Sequence, residues 1–325
     1  MIVGTHALCE TWACVDQNLS GETGGDLSTC KHHISMNLLY ADRVMEKLWI
    51  GDIAATGYAT LNGGTTGGMG GQIVEVDTFD SYVAAVGDDN PRIVVITGPI
   101  TASAQDSVGS NKGIIGKNKD AKLTGVGMHI LRKSNVIVRN LIISKVLAAK
   151  GDDIHHDQEH NKDFYDGLVD VTRASDWVTI SHNYLRDRNK GSLVGHSDNN
   201  GAQDTAHLHV TYHNNHPKNV YSRGPSLRFG TGHFYNSYFN HMFECVKSRK
   251  GAQVLVEGNY FVDASKPIFG ADGYAVARGN GYADSTNHNT APLGNLTAVP
   301  YQYSLLGSVN VVGAVVGEAG ATLAF

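Results

Sequence analysis

"VLVEGNYF" (254–261) is a short β-prone run that stops at a glycine and an asparagine and then resumes with an apolar pair. Close counterparts occur at 136–143 (VIVRNLII), 178–185 (VTISHNYL), 210–216 (VTYHNNH), 233–239 (HFYNSYF) and 274–282 (YAVARGNGY). Each reads as a period-2 strand running into Asn or a near substitute. With Asn140, Asn183, Asn215, Ser237, Asn259 and Asn280 as equivalents, the steps are 43, 32, 22, 22 and 21 residues. A basic step near 22 emerges, the first gap being close to two steps and the second carrying an insertion. One turn-forming residue per short repeat is what a solenoid of stacked coils requires, because each coil buries its apolar face only against its neighbours. Asparagines at the same bend can hydrogen-bond amide to amide along the stack and satisfy polar groups the bend leaves unmatched. Propeller repeats run to ~40 residues or more and sandwiches need no such ladder, so the pattern predicts a parallel β-helix.

The rest of the chain fits that frame. Among 325 residues, 38 are glycine and 7 proline, so turns are numerous and glycine-built. The one clear helical pattern, "DTFDSYVAAV" (77–86), is capped by Asp77 or Thr78 and puts Phe79, Val83 and Val86 on one side. It is expected to cover the N-terminal end of the solenoid, where an open sheet edge invites aggregation. Residues 1–50 lack periodicity and read as an atypical, poorly ordered extension before a β-helix domain at 51–325.

A net charge of −5 with no basic run argues against nucleic acid and anionic membranes as partners. No stretch is apolar and long enough to span a membrane, and the first residues show no signal peptide. Cys9, Cys14, Cys30 and Cys245 form neither a disulfide framework nor a zinc signature.

Three stretches carry candidate chemistry. "KDFYDGLVDV" (162–171) sets Asp166 and Asp170 four apart, a span of ~13 Å in an extended strand and too far for one ion, so a shared task requires a bend at Gly167. "NVYSRGPSLRFG" (219–230) holds Arg223 and Arg228, which Gly224 and Pro225 can bring to one side. Lys190 follows "YLRDRN" and precedes "GSLVGHS".

The string RGPSLR (223–228) fits R-x-P-x-x-R, and together with "GGTTGGMGGQ", "KDFYDGLVDV", "SLVGHSD", "TYHNN" and "GYAVARGN" it resembles the pectate and pectin lyases, most of all the fungal-type pectate lyases. The likeness covers roughly residues 55–325. It implies a single-stranded right-handed parallel β-helix that cleaves polygalacturonate by calcium-dependent β-elimination, leaving 4,5-unsaturated oligogalacturonides. Carried over position by position, Arg223 is the base that takes the C5 proton, while Lys190, Arg228 and Arg249 bind uronate carboxylates. Asp152 in "GDDI", Asp166 and Asp170 are the implied Ca²⁺ ligands. A secreted monomer is also implied. The chemistry agrees with those roles: removing a proton beside a carboxylate piles up negative charge, which cations and a hard, oxygen-liganded ion can absorb. A normally protonated arginine serves as base only in strongly cationic surroundings, which predicts an alkaline optimum.

One departure bears on the metal. Where the family has a further strand, only "HHDQEHNK" separates Ile154 from Asp163, and Asp152 lies 14 residues before Asp166, short of a full coil. Either the chain short-cuts a rung or Asp152 does not reach the other carboxylates. His155, His156 and His160 in that shortcut read as a solvated loop, and Cys245 as a small buried residue. The competing readings are a pectin lyase acting on methylated polymer, a hydrolase with paired carboxylates, and an inactive β-helix that binds acidic polysaccharide.

Overall fold

In the longest sheet, strands of three to five residues recur, mostly every 20–24 positions, and stack in parallel, so that successive repeats become successive rungs. The computed structural model describes residues 34–36, 51–147 and 167–325, and the architecture is a right-handed parallel β-solenoid of about 9 turns. Its longest sheet has ten strands, in the order β19 (Tyr274–Arg278), β17 (Gln253–Glu257), β15 (Thr231–Tyr235), β12 (His209–His213), β9 (Val178–Ser181), β1 (Ile34–Met36), β7 (Val136–Arg139), β5 (Lys112–Gly116), β3 (Arg92–Ile96) and β2 (Gln72–Val76). A second sheet runs β10 (Tyr184–Lys190), β13 (His216–Ser222), β16 (Tyr238–Arg249), β18 (Tyr260–Ala271) and β20 (Gly281–Ala283), and β16 also joins it to β14 (Ser226–Arg228) and β11 (Leu193–Val194). A third contains β4 (Pro99–Ser107), β6 (Lys122–His129) and β8 (Ile142–Ser144).

The interior is filled by the inward residue of each strand, stacked on its equivalent one rung away. Tyr212 stacks on Phe234 at 5.2 Å, and Phe239, Phe261 and Tyr282 form a column with spacings of 4.6 and 5.3 Å. These spacings follow the separation of neighbouring strands. The buried apolar residues fall into two main clusters, one between Val76 and Val146 and the other between Leu168 and Ala275.

The asparagine repeat forms the expected ladder. Oδ1 of Asn215 accepts from the Asn183 amide N–H at 2.9 Å, the Ser237 hydroxyl from that of Asn215 at 3.2 Å, Asn259 from that of Ser237 at 2.9 Å, and Asn280 from that of Asn259 at 2.9 Å. Asn140 is one place out of register. It has a φ of +55°, like His182, Asn214 and Asn236, which come just before the ladder residues. Its side chain instead bonds Gly116 O and both backbone groups of Leu323. Asparagine tolerates the left-handed region, so its presence alone does not tell the corner residue from the ladder residue that follows it.

Helix α1 (Phe79–Val86) begins at Thr78, whose hydroxyl accepts from the Ser81 amide in a reciprocal capping box. Tyr82, Ala85 and Val86 are buried in the first cluster with Phe79 and Val83 packed beside them, and the helix lies against β2, β3 and β4 at the N-terminal end. A second helix, α2 (Ser308–Val315), covers Tyr238 with Val311 and Val315. From there the chain returns along the ten-stranded sheet until the Phe325 amide meets Lys117 O.

β1 is the unexpected element. It lies between β7 and β9, with Ile34 opposite Val136 and Ser35 opposite Ile137 on one side, and Ser35 opposite Thr179 and Met36 opposite Ile180 on the other. The rung between Val136 and Val178 is thus held by a strand from the segment before residue 50. The remainder of the 1–50 extension lies outside the described residues.

Candidate functional site

The basic residues gather where β10, β13 with β14, and β16 run side by side. Lys190 ends β10 directly opposite Ser222, and Arg223 is the next residue along. From Ser222 to Ser226 the chain takes four steps, while its neighbour goes from Lys190 to Leu193 in three. On the other side, Lys218 to Ser226 takes eight steps against seven from Asn240 to Lys247. One extra residue is therefore inserted here relative to both flanking rungs. It is absorbed by Arg223, at φ +58°, and by the cis peptide between Gly224 and Pro225. A bulge of this kind re-aims a side chain at a sheet surface, and the left-handed φ is costly for a residue with a Cβ.

The bulge is clasped by the rung below. Ser192 N–H donates to Arg223 O at 2.6 Å, and a Cβ on Gly191 would lie 2.4 Å from that oxygen, so only glycine fits. The segment 191–193 holds Asp170 on its opposite edge. Leu193 N–H donates to Asp170 Oδ1 at 2.8 Å, and Leu168 N–H to Gly191 O at 2.6 Å. A Cβ on Gly167 would stand 2.9 Å from Asp170 Oδ1, a closeness that residues three apart reach only where the chain folds back, so the bend expected after Asp166 is present.

β14 ends at Arg228, in register with Arg249 at the end of β16, and both guanidinium groups share one carboxylate. Asp198 Oδ1 lies 2.5 Å from Arg228 Nε and 3.0 Å from Arg249 Nη2, and Arg228 Nη1 donates to Gly195 O at 2.6 Å. The hydrogen bond from Arg228 holds the Asp198 carboxyl below its ordinary range, with Arg249 and Lys250 adding to the effect. Burial, then the nearby charge of Arg228, lowers the Arg249 guanidinium, and Arg223 contributes in the same direction. Lys190, Arg223, Arg228, Arg249 and Asp170 are thus brought together on adjacent rungs. Among the described residues the Arg223 guanidinium has no carboxylate partner, and its charge is felt at Arg249.

Asp152 and Asp166 lie outside the described residues, as do His155, His156 and His160. Among the described residues no three His, Cys, Asp or Glu side chains cluster as a metal site would require. Asp170 offers a hard oxygen: Oδ1 is occupied by a main-chain amide, which orients the carboxylate. Cys245 is buried, and burial, then Glu244, pushes its thiol up, as suits a packing residue.

The motif reading did not single out Asp198. It sits inside "SLVGHSD", and its signal was a lone carboxylate in sequence reach of an otherwise cationic set.

A family model described as pectate lyase matches residues 44–161 and 149–304. The chain belongs to the pectate lyase family. It is 53% identical over 291 positions to a probable pectate lyase A of Aspergillus fumigatus, covering 84% of this chain and 90% of the relative. To pectate lyase A of Aspergillus niger it is 50% identical over 289 positions, covering 84% and 89%. Since 84% of 325 residues is about 273, the first alignment runs some 18 positions longer than the part of this chain it uses, close to one coil. Among solved structures, the pectate lyase of Bacillus sp. N165 in complex with trigalacturonate superposes with a TM-score of 0.69 at 27% identity, covering 82% of this chain and 98% of that one. A thermostable pectate lyase superposes at 0.73 and 22% identity, covering 85% and 99%, which supports the fold. Among the described residues no helix is long and apolar enough to cross a membrane.

Proposed function

We propose that this pectate lyase cleaves polygalacturonate by β-elimination, with Arg223 as the base. The observation that supports the reading is the bulge at Arg223, whose guanidinium has no carboxylate partner among the described residues and lies close enough to Arg249 for their charges to be felt. A uronate carboxylate entering there meets cations on both sides of Arg223. Arg223 takes the C5 proton, the electrons left behind form the C4–C5 double bond, and the C4–O bond breaks with its electron pair going to the leaving oxygen, which is protonated by water. Arg228 and Arg249, held by Asp198, and Lys190 neutralise the charge that grows on the carboxylate during proton removal.

Asp170, with Asp166 and Asp152, would hold Ca²⁺. When bound, the ion acts as a Lewis acid on the substrate carboxylate and helps to clamp it. Asp170 suits the task, because a main-chain amide already fixes its orientation and hard oxygens match the ion. A polymer substrate that cannot enter a cell makes this a secreted enzyme, and among the described residues no contact in the site calls for a second copy.

The test is incubation with polygalacturonate, with and without a calcium chelator, following the ultraviolet absorbance of unsaturated ends. The reading expects unsaturated product, its loss on chelation, and a fall of at least about a hundredfold in kcat for Arg223→Lys. Saturated reducing ends would mean hydrolysis, and the absence of any product would leave only a binding protein. Product that resists chelation and is made best from methylated polymer would make it a pectin lyase.

A further inference from the structure

Asn295, Leu296 and Thr297 form an N-x-T triplet beside β19, the last strand of the ten-stranded sheet. In a surface loop of a secreted protein such a triplet is an acceptor for an N-linked glycan. The surroundings suit that use. Asn295 and Thr297 are exposed, and residues 295–297 belong to neither helix nor strand. The main chain is tied down: Asn295 N–H donates to Gln253 Oε1 at 3.1 Å, and Thr297 O accepts from Arg278 Nη2 at 3.3 Å. The side chains are free. Neither the Asn295 amide nor the Thr297 hydroxyl makes a hydrogen bond among the described residues, whereas Asn215 and Asn259 commit their side-chain amides to Ile180 O and Phe234 O inside the stack. A second triplet of the same kind begins at Asn18, outside the described residues.

The position gives a glycan work to do. Past β19 the sheet is continued by a single bridge, Leu293 beside Ala275, in which Ala275 N–H donates to Pro292 O at 2.9 Å and Gly294 N–H to Ala275 O at 3.1 Å. Leu293 is 83% exposed, and Tyr274 at the start of β19 is 41% exposed. A sheet edge that is thinly covered and apolar is a template for pairing with another chain. The opposite end of the same sheet has α1 packed against β2 and β3.

We infer that Asn295 carries an N-linked glycan that shields the β19 edge. This rests on the secreted character proposed above. In the transfer, the side-chain nitrogen of Asn295 bonds to C1 of an oligosaccharide carried on a lipid diphosphate. The C1–O bond to the diphosphate breaks with its electron pair going to that oxygen, and the nitrogen gives up one proton. The Thr297 hydroxyl is the second element of the acceptor, and without an internal partner it is open to the transferring enzyme. Once attached, a hydrated oligosaccharide two residues from Leu293 stands over the exposed apolar edge and keeps a second chain from it. The coil that bears Arg223 opens with β12, three places in from β19, so the glycan is set apart from the reacting carbon.

The test sends the full chain through the secretory route of yeast behind a cleavable leader. Gels before and after peptide N-glycosidase, with mass spectrometry of the peptide that holds Asn295, read the occupancy, since the enzyme leaves aspartate where a glycan was attached. A shift that the glycosidase removes is expected, kept in Asn18→Gln and missing at this peptide in both Asn295→Gln and Thr297→Ala. An unmodified Asn295 peptide in the secreted protein would overturn the site. Light scattering on heating, at equal protein concentration, reads the shielding. Asn295→Gln is expected to aggregate several-fold faster, with kcat and KM on polygalacturonate unaltered, and Asn295→Gln with Leu293→Ser to return towards the glycosylated rate. Equal rates with and without the glycan would sink the shielding. If Asn295→Gln does not fold, the unsubstituted protein after glycosidase treatment decides. Because the leader imposes the route, occupancy is read whatever the reaction proves to be: a protein that yields no unsaturated product would end the proposed chemistry and leave the glycan result standing.

Discussion

Asn259→Ala isolates what the ladder contributes. Asn259 is fully buried, and its Oδ1 accepts the Ser237 N–H at 2.9 Å while its Nδ2 donates to Phe234 O at 2.8 Å. Its backbone N–H, bonded to Asn280 Oδ1 at 2.9 Å, survives the change. The substitution therefore orphans one buried donor and one buried acceptor, since both partners, Ser237 and Phe234, are themselves buried. Each such group costs about 1–3 kcal/mol, so a loss of roughly 2–6 kcal/mol is expected. Asn280 provides the internal comparison: it stands on the outermost rung and is partly exposed, so water can replace its side chain, and Asn280→Ala should cost less than half as much. The assay is urea unfolding followed by far-ultraviolet circular dichroism, paired with amide exchange at Ser237, since a solenoid need not unfold in one step. A loss below about 1 kcal/mol for Asn259→Ala, or equal losses for the two variants, would refute the claim that side-chain amides satisfy this bend.

The remaining predictions concern charge. Asp198→Asn leaves Arg228 and Arg249 without their shared carboxylate. Since Asp198 is 41% exposed, the expected effect is a several-fold rise in KM on polygalacturonate with a stability change under about 1 kcal/mol, read from steady-state kinetics and an unfolding curve. Acid should destabilise the fold in two stages. Burial holds the His213 imidazole down at about 4 and that of His182 well below its ordinary value, so the folded state resists protons that the unfolded chain accepts below about 6.5. Stability should therefore fall between about pH 6.5 and 4, by roughly 3 kcal/mol for His213 alone. Burial raises the Glu257 carboxyl, but bonds from His233, Tyr303 and Arg278 outweigh it and hold it at about 2. Its contribution is present above the unfolded carboxyl range near 4.5 and is lost as pH falls from there towards 2. Thermal midpoints across pH 3–8 that stay flat below 6.5 would contradict both.

The solenoid was legible because its bend chemistry recurs in one-letter form: Asn183, Asn215, Ser237, Asn259 and Asn280 are the ladder, and their spacing is the coil. Asn140 misled because two consecutive positions at each corner favour asparagine for different reasons, one for left-handed backbone and one for an amide that bridges rungs. The helix at 79–86 was legible from its cap and apolar face, whereas α2 was not, its identity resting on contact with Tyr238 far back in the chain. Arg223 and Arg228 could be paired from the glycine and proline between them, but that Arg223 occupies an inserted position appears only when two neighbouring rungs are counted against it. Asp198 was hidden for a related reason, since it reaches Arg228 and Arg249 across 30 and 51 residues of sequence.

The rung filled by Ile34–Met36 ties the molecule together out of chain order. Ile34 and Ser35 pair with Val136 and Ile137 on one flank, and Ser35 and Met36 with Thr179 and Ile180 on the other. Nearest-neighbour coupling is what makes a stacked array melt as one body, and here one link of that coupling is supplied by a segment far from its neighbours in sequence. Deleting residues 1–50 should therefore part the amino-terminal block from the one that bears Lys190, Arg223 and Arg228, as two thermal transitions where the full chain shows one.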